Sequence, residues 1–297
     1  MTEETKGITL PDFSASLARL IEGVSQSVVE VHFGKRGAAS GFVWRDGLVV
    51  TADEALGDHT EAIVAIAGQH HEATVVGRDP STDIAVLRVN GLTAPSLTFA
   101  AEVPKTGEIV LTAGRREEGV TARLGIVSLS SGSTWRSMRG GHIDGLIRLD
   151  VTLDRRSEGG PAINSTGRMF GMAVRGPRRS VLVIPAATIE RIAARIVEKG
   201  SVRPGYLGLG LHPVRVQGTE SSTGLIVLGI ASGGPGHAAG VLQGDIITAW
   251  NGEALKGLRD VMRRLGPDSA GGTVELSLLR GGQLASAKCV IGARPEA

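Results

Sequence analysis

A chain of 297 residues, 41% hydrophobic and 21% charged, has a globular composition and length for about two ordinary domains. Its 32 Lys+Arg against 30 Asp+Glu leave a formal charge of +2, which argues against nucleic acid or an acidic membrane surface as partner. No apolar run reaches membrane-spanning length, and the single cysteine, Cys289, lies in an apolar alternating run and cannot close an internal disulfide, which argues against redox chemistry.

With 43 glycines and only 3% aromatic residues, the chain favours many tight turns between short strands, so a mainly β protein is expected. Residues Met1–Asp12 read as a tail without a basic segment and apolar run, hence without a secretory signal. Apolar residues at helical spacing (Leu17, Leu20, Ile21, Val24) predict a helix over Ala15–Val24. Strands are predicted at Val28–His32, Ser40–Trp44, Leu48–Thr51, Ala62–Ala67, Ala73–Val76, Ile84–Val89 and Glu108–Ala113, a spacing that suits a barrel or sandwich. The Ser/Gly-rich stretch Ser128–Gly141 reads as a mobile surface loop, after which strands resume at Leu146–Leu149, Met169–Val174 and Val181–Ile184. An amphipathic helix over Ala187–Lys199, with Ile189, Ile192, Ile196 and Val197 on one side and Gly200 as its stop, closes a domain spanning 13–199. Residues 200–204 form a linker. Residues 205–297 form a small α/β unit with strands at Gly224–Leu228, Asp245–Trp250 and Thr273–Arg280, a helix over Leu258–Leu265 and a Gly281-Gly282 hairpin.

Several motifs fall in one order: Ser25-x-Ser27-Val28-Val29-x-Val31, Gly41-Phe42-Val43-Trp44, Leu48-Val49-Val50-Thr51, Asp79-Pro80-Ser81-Thr82-Asp83-Ile84-Ala85-Val86-Leu87 and Gly159-Gly160-Pro161. They are followed by Arg203-Pro204-Gly205-Tyr206-Leu207-Gly208 and the turn Gly244-Asp245. In this order and spacing the chain resembles, from about Phe13 to Gly292, the HtrA/Deg group of trypsin-like serine proteases. The resemblance implies a trypsin-like double β-barrel domain followed by a PDZ domain.

Such a protease needs a histidine to take the serine proton, an aspartate to orient the imidazole, and backbone N–H groups to stabilise the oxyanion. By the resemblance the histidine position, three residues after Thr51, holds Glu54, the aspartate position holds Asp83, and the nucleophile position holds Glu158. Of the oxyanion-loop positions Arg156 and Ser157, the first replaces a glycine. A carboxylate is too weak a base near neutral pH to activate a serine. Ser157 stands one residue early, and His59, five residues after Glu54, needs a rearranged loop to reach the site. Three carboxylates in one cleft call for protonation, Arg155 or Arg156, or a cation to offset their repulsion. The plainer reading is a decayed site, with no metal and no cofactor expected.

The PDZ resemblance implies that Tyr206, Leu207, Gly208 and Leu209 receive a peptide carboxylate, while Leu258, Val261, Met262 and Leu265 line the side-chain pocket. For each helix position, membership of the domain core is an equal alternative. The expected function is a catalytically inactive HtrA-like protein that binds peptides or unfolded segments as scaffold, adaptor or chaperone. The alternative is a serine endopeptidase with a rearranged or carboxylate-based site. The resemblance also implies a homotrimer, or mixed assembly with active family members. As the sequence stands the compartment is cytoplasmic; if a leader has been trimmed, it is periplasmic.

Overall fold

The computed structural model describes residues 9–35, 37–137, 140–199, 205–216, 222–266 and 269–293. The chain divides into two compact units, one holding the two barrels and the other everything from Val202 on together with Asp79–Thr82 and Arg136–His142.

Helix α1 (Leu10–Ser25) starts five residues earlier than its periodicity predicts, because the Thr9 hydroxyl accepts the N–H of Asp12 and Pro11 suits the first turn. Part of the predicted tail is therefore helical; its first eight residues lie outside the described residues, as does the predicted linker 200–204. The first closed barrel runs β1 (Val28–Phe33), β2 (Gly37–Arg45), β3 (Leu48–Thr51), β4 (Glu61–Ile66), β5 (Gln69–Asp79) and β6 (Ile84–Val89), with the one-turn helix α2 (Asp53–Leu56) between β3 and β4. Its core gathers the inward residues of each strand, among them Val29, Val31, Val43, Val49, Val64 and Leu87.

The second closed barrel comprises β7 (Ile109–Arg116), β8 (Gly119–Ser131), β11 (Leu146–Asp150), β12 (Pro161–Ile163), β13 (Met169–Arg175) and β14 (Val181–Pro185), with the two-residue strands β9 (Trp135–Arg136) and β10 (His142–Ile143) paired outside it. Here the sequence reading is corrected. Ser128–Ser131 are the end of β8, paired with β11, rather than a loop, and β8 as a whole escaped notice because its exposed Leu124, Ile126 and Leu129 break the alternation of a half-buried strand. Helix α3 (Ala186–Lys199) buries Ile189, Ile192 and Ile196 as expected, whereas Val197 turns outward at 39% exposure. Its Glu190 accepts from the Trp44 indole at 2.7 Å, tying the helix to the first barrel.

The PDZ unit contains β15 (Gly205–Tyr206), β16 (Leu209–Arg215), β17 (Thr223–Ile230), α4 (Pro235–Ala238), β18 (Ile246–Trp250), β19 (Glu253–Ala254), α5 (Leu258–Arg264), β20 (Thr273–Arg280), β21 (Gln283–Val290) and β22 (Gly292–Ala293). The main sheet runs β16-β17-β18-β20-β21, which leaves β16 at an edge. Leu225, Val227, Ile247, Leu276 and Cys289 fill its core, the cysteine as a small buried hydrophobe whose thiol pKa burial pushes up. Among the described residues no helix is long and apolar enough to cross a membrane.

Candidate functional site: the Glu158 cleft and the PDZ groove

The loop that leads into Gly159-Gly160-Pro161 is a 3-10 turn, Arg155–Ser157, capped by Asp154. Asp154 accepts the Ser157 N–H at 3.0 Å and its hydroxyl at 3.1 Å, and Arg116 and Arg123 stand 3.2 and 3.5 Å from the same carboxylate. Burial alone would raise the Asp154 carboxyl, but the Ser157 bonds, Arg116 and the Arg156 N–H outweigh it and hold the group below its usual range.

Glu158 follows with its side chain buried and clamped from one side. Its Oε1 accepts the Arg175 N–H at 3.0 Å and its Oε2 accepts Arg175 Nε at 2.9 Å. Arg175, rather than Arg155 or Arg156, therefore supplies the charge that the buried carboxylate requires. The next two residues must be glycine. Gly159 has φ +85°, and a Cβ there would lie 2.4 Å from the Ser40 carbonyl oxygen; at Gly160 it would lie 2.0 Å from that of Ala113.

Across the cleft, Glu54 sits exposed on α2, and its N–H donates to Asp83 Oδ1 at 2.7 Å. Asp83 is held at φ +60°. Burial raises its carboxyl from 3.8 to about 7; the Glu54 N–H opposes this, while the negative charges of Glu158, Asp53 and Glu54 add to it. Asp83 therefore feels the charges of both other carboxylates named from the sequence. Among the described residues no three His, Cys, Asp or Glu side chains are grouped to hold a metal ion.

Neither fallback group meets a partner suited to hydrolysis. The Ser157 hydroxyl is buried between Asp154 and Thr121, whose Oγ1 is 3.4 Å away, and His59 packs its ring 5.4 Å from that of Phe33.

Two residues of the site escaped the sequence reading. Arg175 closes an apolar strand and belongs to no motif. Glu30 stands in Val-Val-Glu-Val, where alternation assigns it to solvent, yet it is 1% exposed, with His32 Nε2 at 3.2 Å and Arg156 Nη1 at 3.9 Å.

In the PDZ unit the loop Leu207-Gly208 turns its carbonyls inward: Leu207 O accepts from Gly236 N at 2.7 Å and Gly208 O from Ala231 N at 2.8 Å. Because a trans peptide sets N–H opposite C=O, the Leu209 N–H faces away from Ala231, toward the free edge of β16, and the Gly208 N–H faces away from Gly236. Gly208 has φ +70°, which suits glycine. Tyr206 ends β15, half-buried. Leu209, Leu258 and Leu265 are partly buried against the core and Met262 is 40% exposed, while Leu207 and Val261 point into the core itself. On α5 the core alternative therefore holds for Val261.

A double barrel of this topology with an appended PDZ sheet defines the class of trypsin-like peptidases with a PDZ domain. Residues 39–172 match the trypsin-like peptidase domain model and residues 205–290 the PDZ domain model. The chain is 31% identical over 270 residues to the probable periplasmic serine endoprotease DegP-like of Bartonella henselae, covering 86% of this chain and 53% of that protein. A namesake from Rhizobium meliloti is 30% identical over 277 residues, covering 88% and 54%. The chain thus spans about half the length of these relatives. Among solved structures, the HtrA-type protease AlgW with decapeptide matches with TM-score 0.68 and 21% identity over 94% of this chain and 99% of that one. The serine endoprotease from Yersinia pestis matches with TM-score 0.68 and 24% identity over 94% and 98%. At such identities the structures speak to the fold. The chain belongs to the HtrA family.

Proposed function

We propose that this chain is a non-proteolytic HtrA-family protein that binds peptides or unfolded segments through its PDZ groove. The observation that carries this is Glu158: at the nucleophile position stands a buried carboxylate held by the backbone N–H and the Nε of Arg175, facing a histidine position occupied by exposed Glu54. Loss of nucleophile or base in a serine protease costs on the order of 10⁶ in turnover, so replacement of both leaves no useful proteolysis. The outward N–H groups of Gly208 and Leu209 beside an open strand edge supply what a peptide C-terminus needs. The chain then works as scaffold, adaptor or holdase.

A second reading, a serine endopeptidase with a rearranged site, is favoured by the names of its relatives, which are serine endoproteases. It would rest on Ser157 with Asp154 as base. Asp154, held below the usual carboxylate range, is poorly suited to take that proton. The relatives are also named periplasmic, and this chain acts in the same compartment on that account. Self-association, as a trimer or with active family members, is supported by the apolar groove of Leu17, Ile21, Val120 and Leu124, with Ile109 and Ile126 exposed beside it.

A fluorophosphonate probe tests the assignment: no covalent label on the folded protein is expected, beside a labelled active HtrA-type protease as control. A label mapped to Ser157 establishes the second reading instead.

A further inference from the structure

This inference rests on the PDZ reading above and specifies the peptide. On α5, Val261 points into the core, while Arg264 pairs with Asp260 at 3.4 Å and with Glu253 at 2.8 Å. At about 100° per residue, Asp260 and Arg264 occupy one edge of the helix and Leu258 and Met262 the other, with Arg259 on the exposed back beside Met262. With the first edge turned to β19, the second faces β16, against which α5 packs. Arg259 is exposed and makes no ion pair among the described residues. Across the groove, β16 contains no acidic residue and exposes Arg215 on the face it shares with Leu211 and Pro213, and Arg215 likewise has no ion-pair partner among the described residues. The two nearby carboxylates, Asp260 and Glu253, are both engaged by Arg264. Among the described residues, Arg259 and Arg215 are thus the charges beside the groove that have no ion-pair partner.

We propose that this groove selects chains with an apolar C-terminus preceded by acidic residues. A strand added to the free edge of β16 places its terminal carboxylate at Gly208 and Leu209 and runs back toward Arg215. Six residues of strand cover about 20 Å, so acids between about the second and sixth places before the terminus pass Arg259 and approach Arg215. The apolar terminus meets Leu209, Leu258 and Leu265. Charge complementarity on both walls then discriminates sequences that the apolar pocket alone would accept equally.

Fluorescence anisotropy on the full chain tests this, with labelled peptides that share one apolar C-terminus and carry either glutamate or lysine at the third and fifth places from the end. The glutamate peptide is expected to bind about tenfold more tightly at low salt, with the gap closing at high salt. An Arg215→Glu, Arg259→Glu variant, altered only at exposed positions, is expected to reverse the preference. Equal affinity for both peptides, or a preference that the variant leaves unchanged, overturns the proposal while leaving the PDZ reading intact. A C-terminally amidated glutamate peptide that binds as well as the free acid, or failure of both free acids to bind, overturns the PDZ reading and this inference with it.

Discussion

Glu158 and Arg175 hold each other through two hydrogen bonds, 3.0 Å from the arginine's backbone N–H and 2.9 Å from its Nε, immediately before Gly159-Gly160-Pro161. The side chains differ sharply in exposure, 3% for Glu158 against 41% for Arg175. Removing the arginine side chain therefore leaves a buried carboxylate with only the backbone donor, and Arg175→Ala is expected to cost about 2 kcal/mol. Adding Glu158→Gln to Arg175→Ala should recover part of that loss. A urea double-mutant cycle measures it, and additive single effects would show the pair to be uncoupled.

Asp83 gives the protein a pH-dependent stability. Its folded-state pKa is raised from 3.8 to about 7, with burial the largest cause, so the folded chain keeps this proton to higher pH than the unfolded chain does. Its contribution is complete below 3.8 and lost as pH rises through about 7. Asparagine is neutral, tolerates φ +60° and can still accept the Glu54 N–H. Asp83→Asn should accordingly flatten the dependence and raise stability at about pH 8 by on the order of 2 kcal/mol. Thermal midpoints across pH check it; an unchanged slope assigns the effect to another group.

Gly160 is fixed by space alone. Its missing Cβ would lie 2.0 Å from the backbone oxygen of Ala113, an atom of the barrel that has no rotamer in which to escape. Gly160→Ala is expected to destabilise by about 3 kcal/mol, seen as a lower midpoint in urea. The prediction matters because it separates packing from catalysis: the fold requires glycine at this position whether or not the chain cuts.

That separation explains what was legible in the sequence. The barrel motifs report backbone constraints and alternating burial, so Val28–Phe33, Leu48–Thr51 and Ile84–Val89 could be placed closely. Strand β8 could not, because its exposed leucine and isoleucine disguise the alternation on which such a reading depends. At the site, Glu54, Asp83 and Glu158 could be named from motif positions. Their charge compensation could not: Arg175 lies 17 residues beyond Glu158, and only the pairing of β12 with β13 brings it back. Glu30 was hidden for the opposite reason, since a period of two assigns a face but not what covers it.

The most direct test of the account is cleavage of unfolded casein by the purified protein, with aggregation of a heated client followed in the same samples. A Glu54→His, Glu158→Ser variant, with and without Arg156→Gly, is run beside it. The account predicts no cleavage by the natural chain together with suppressed aggregation, and activity in the variant only once the oxyanion position is also restored, a donor worth about 10² or more in rate. Casein cleavage by the natural chain that survives repurification would contradict it.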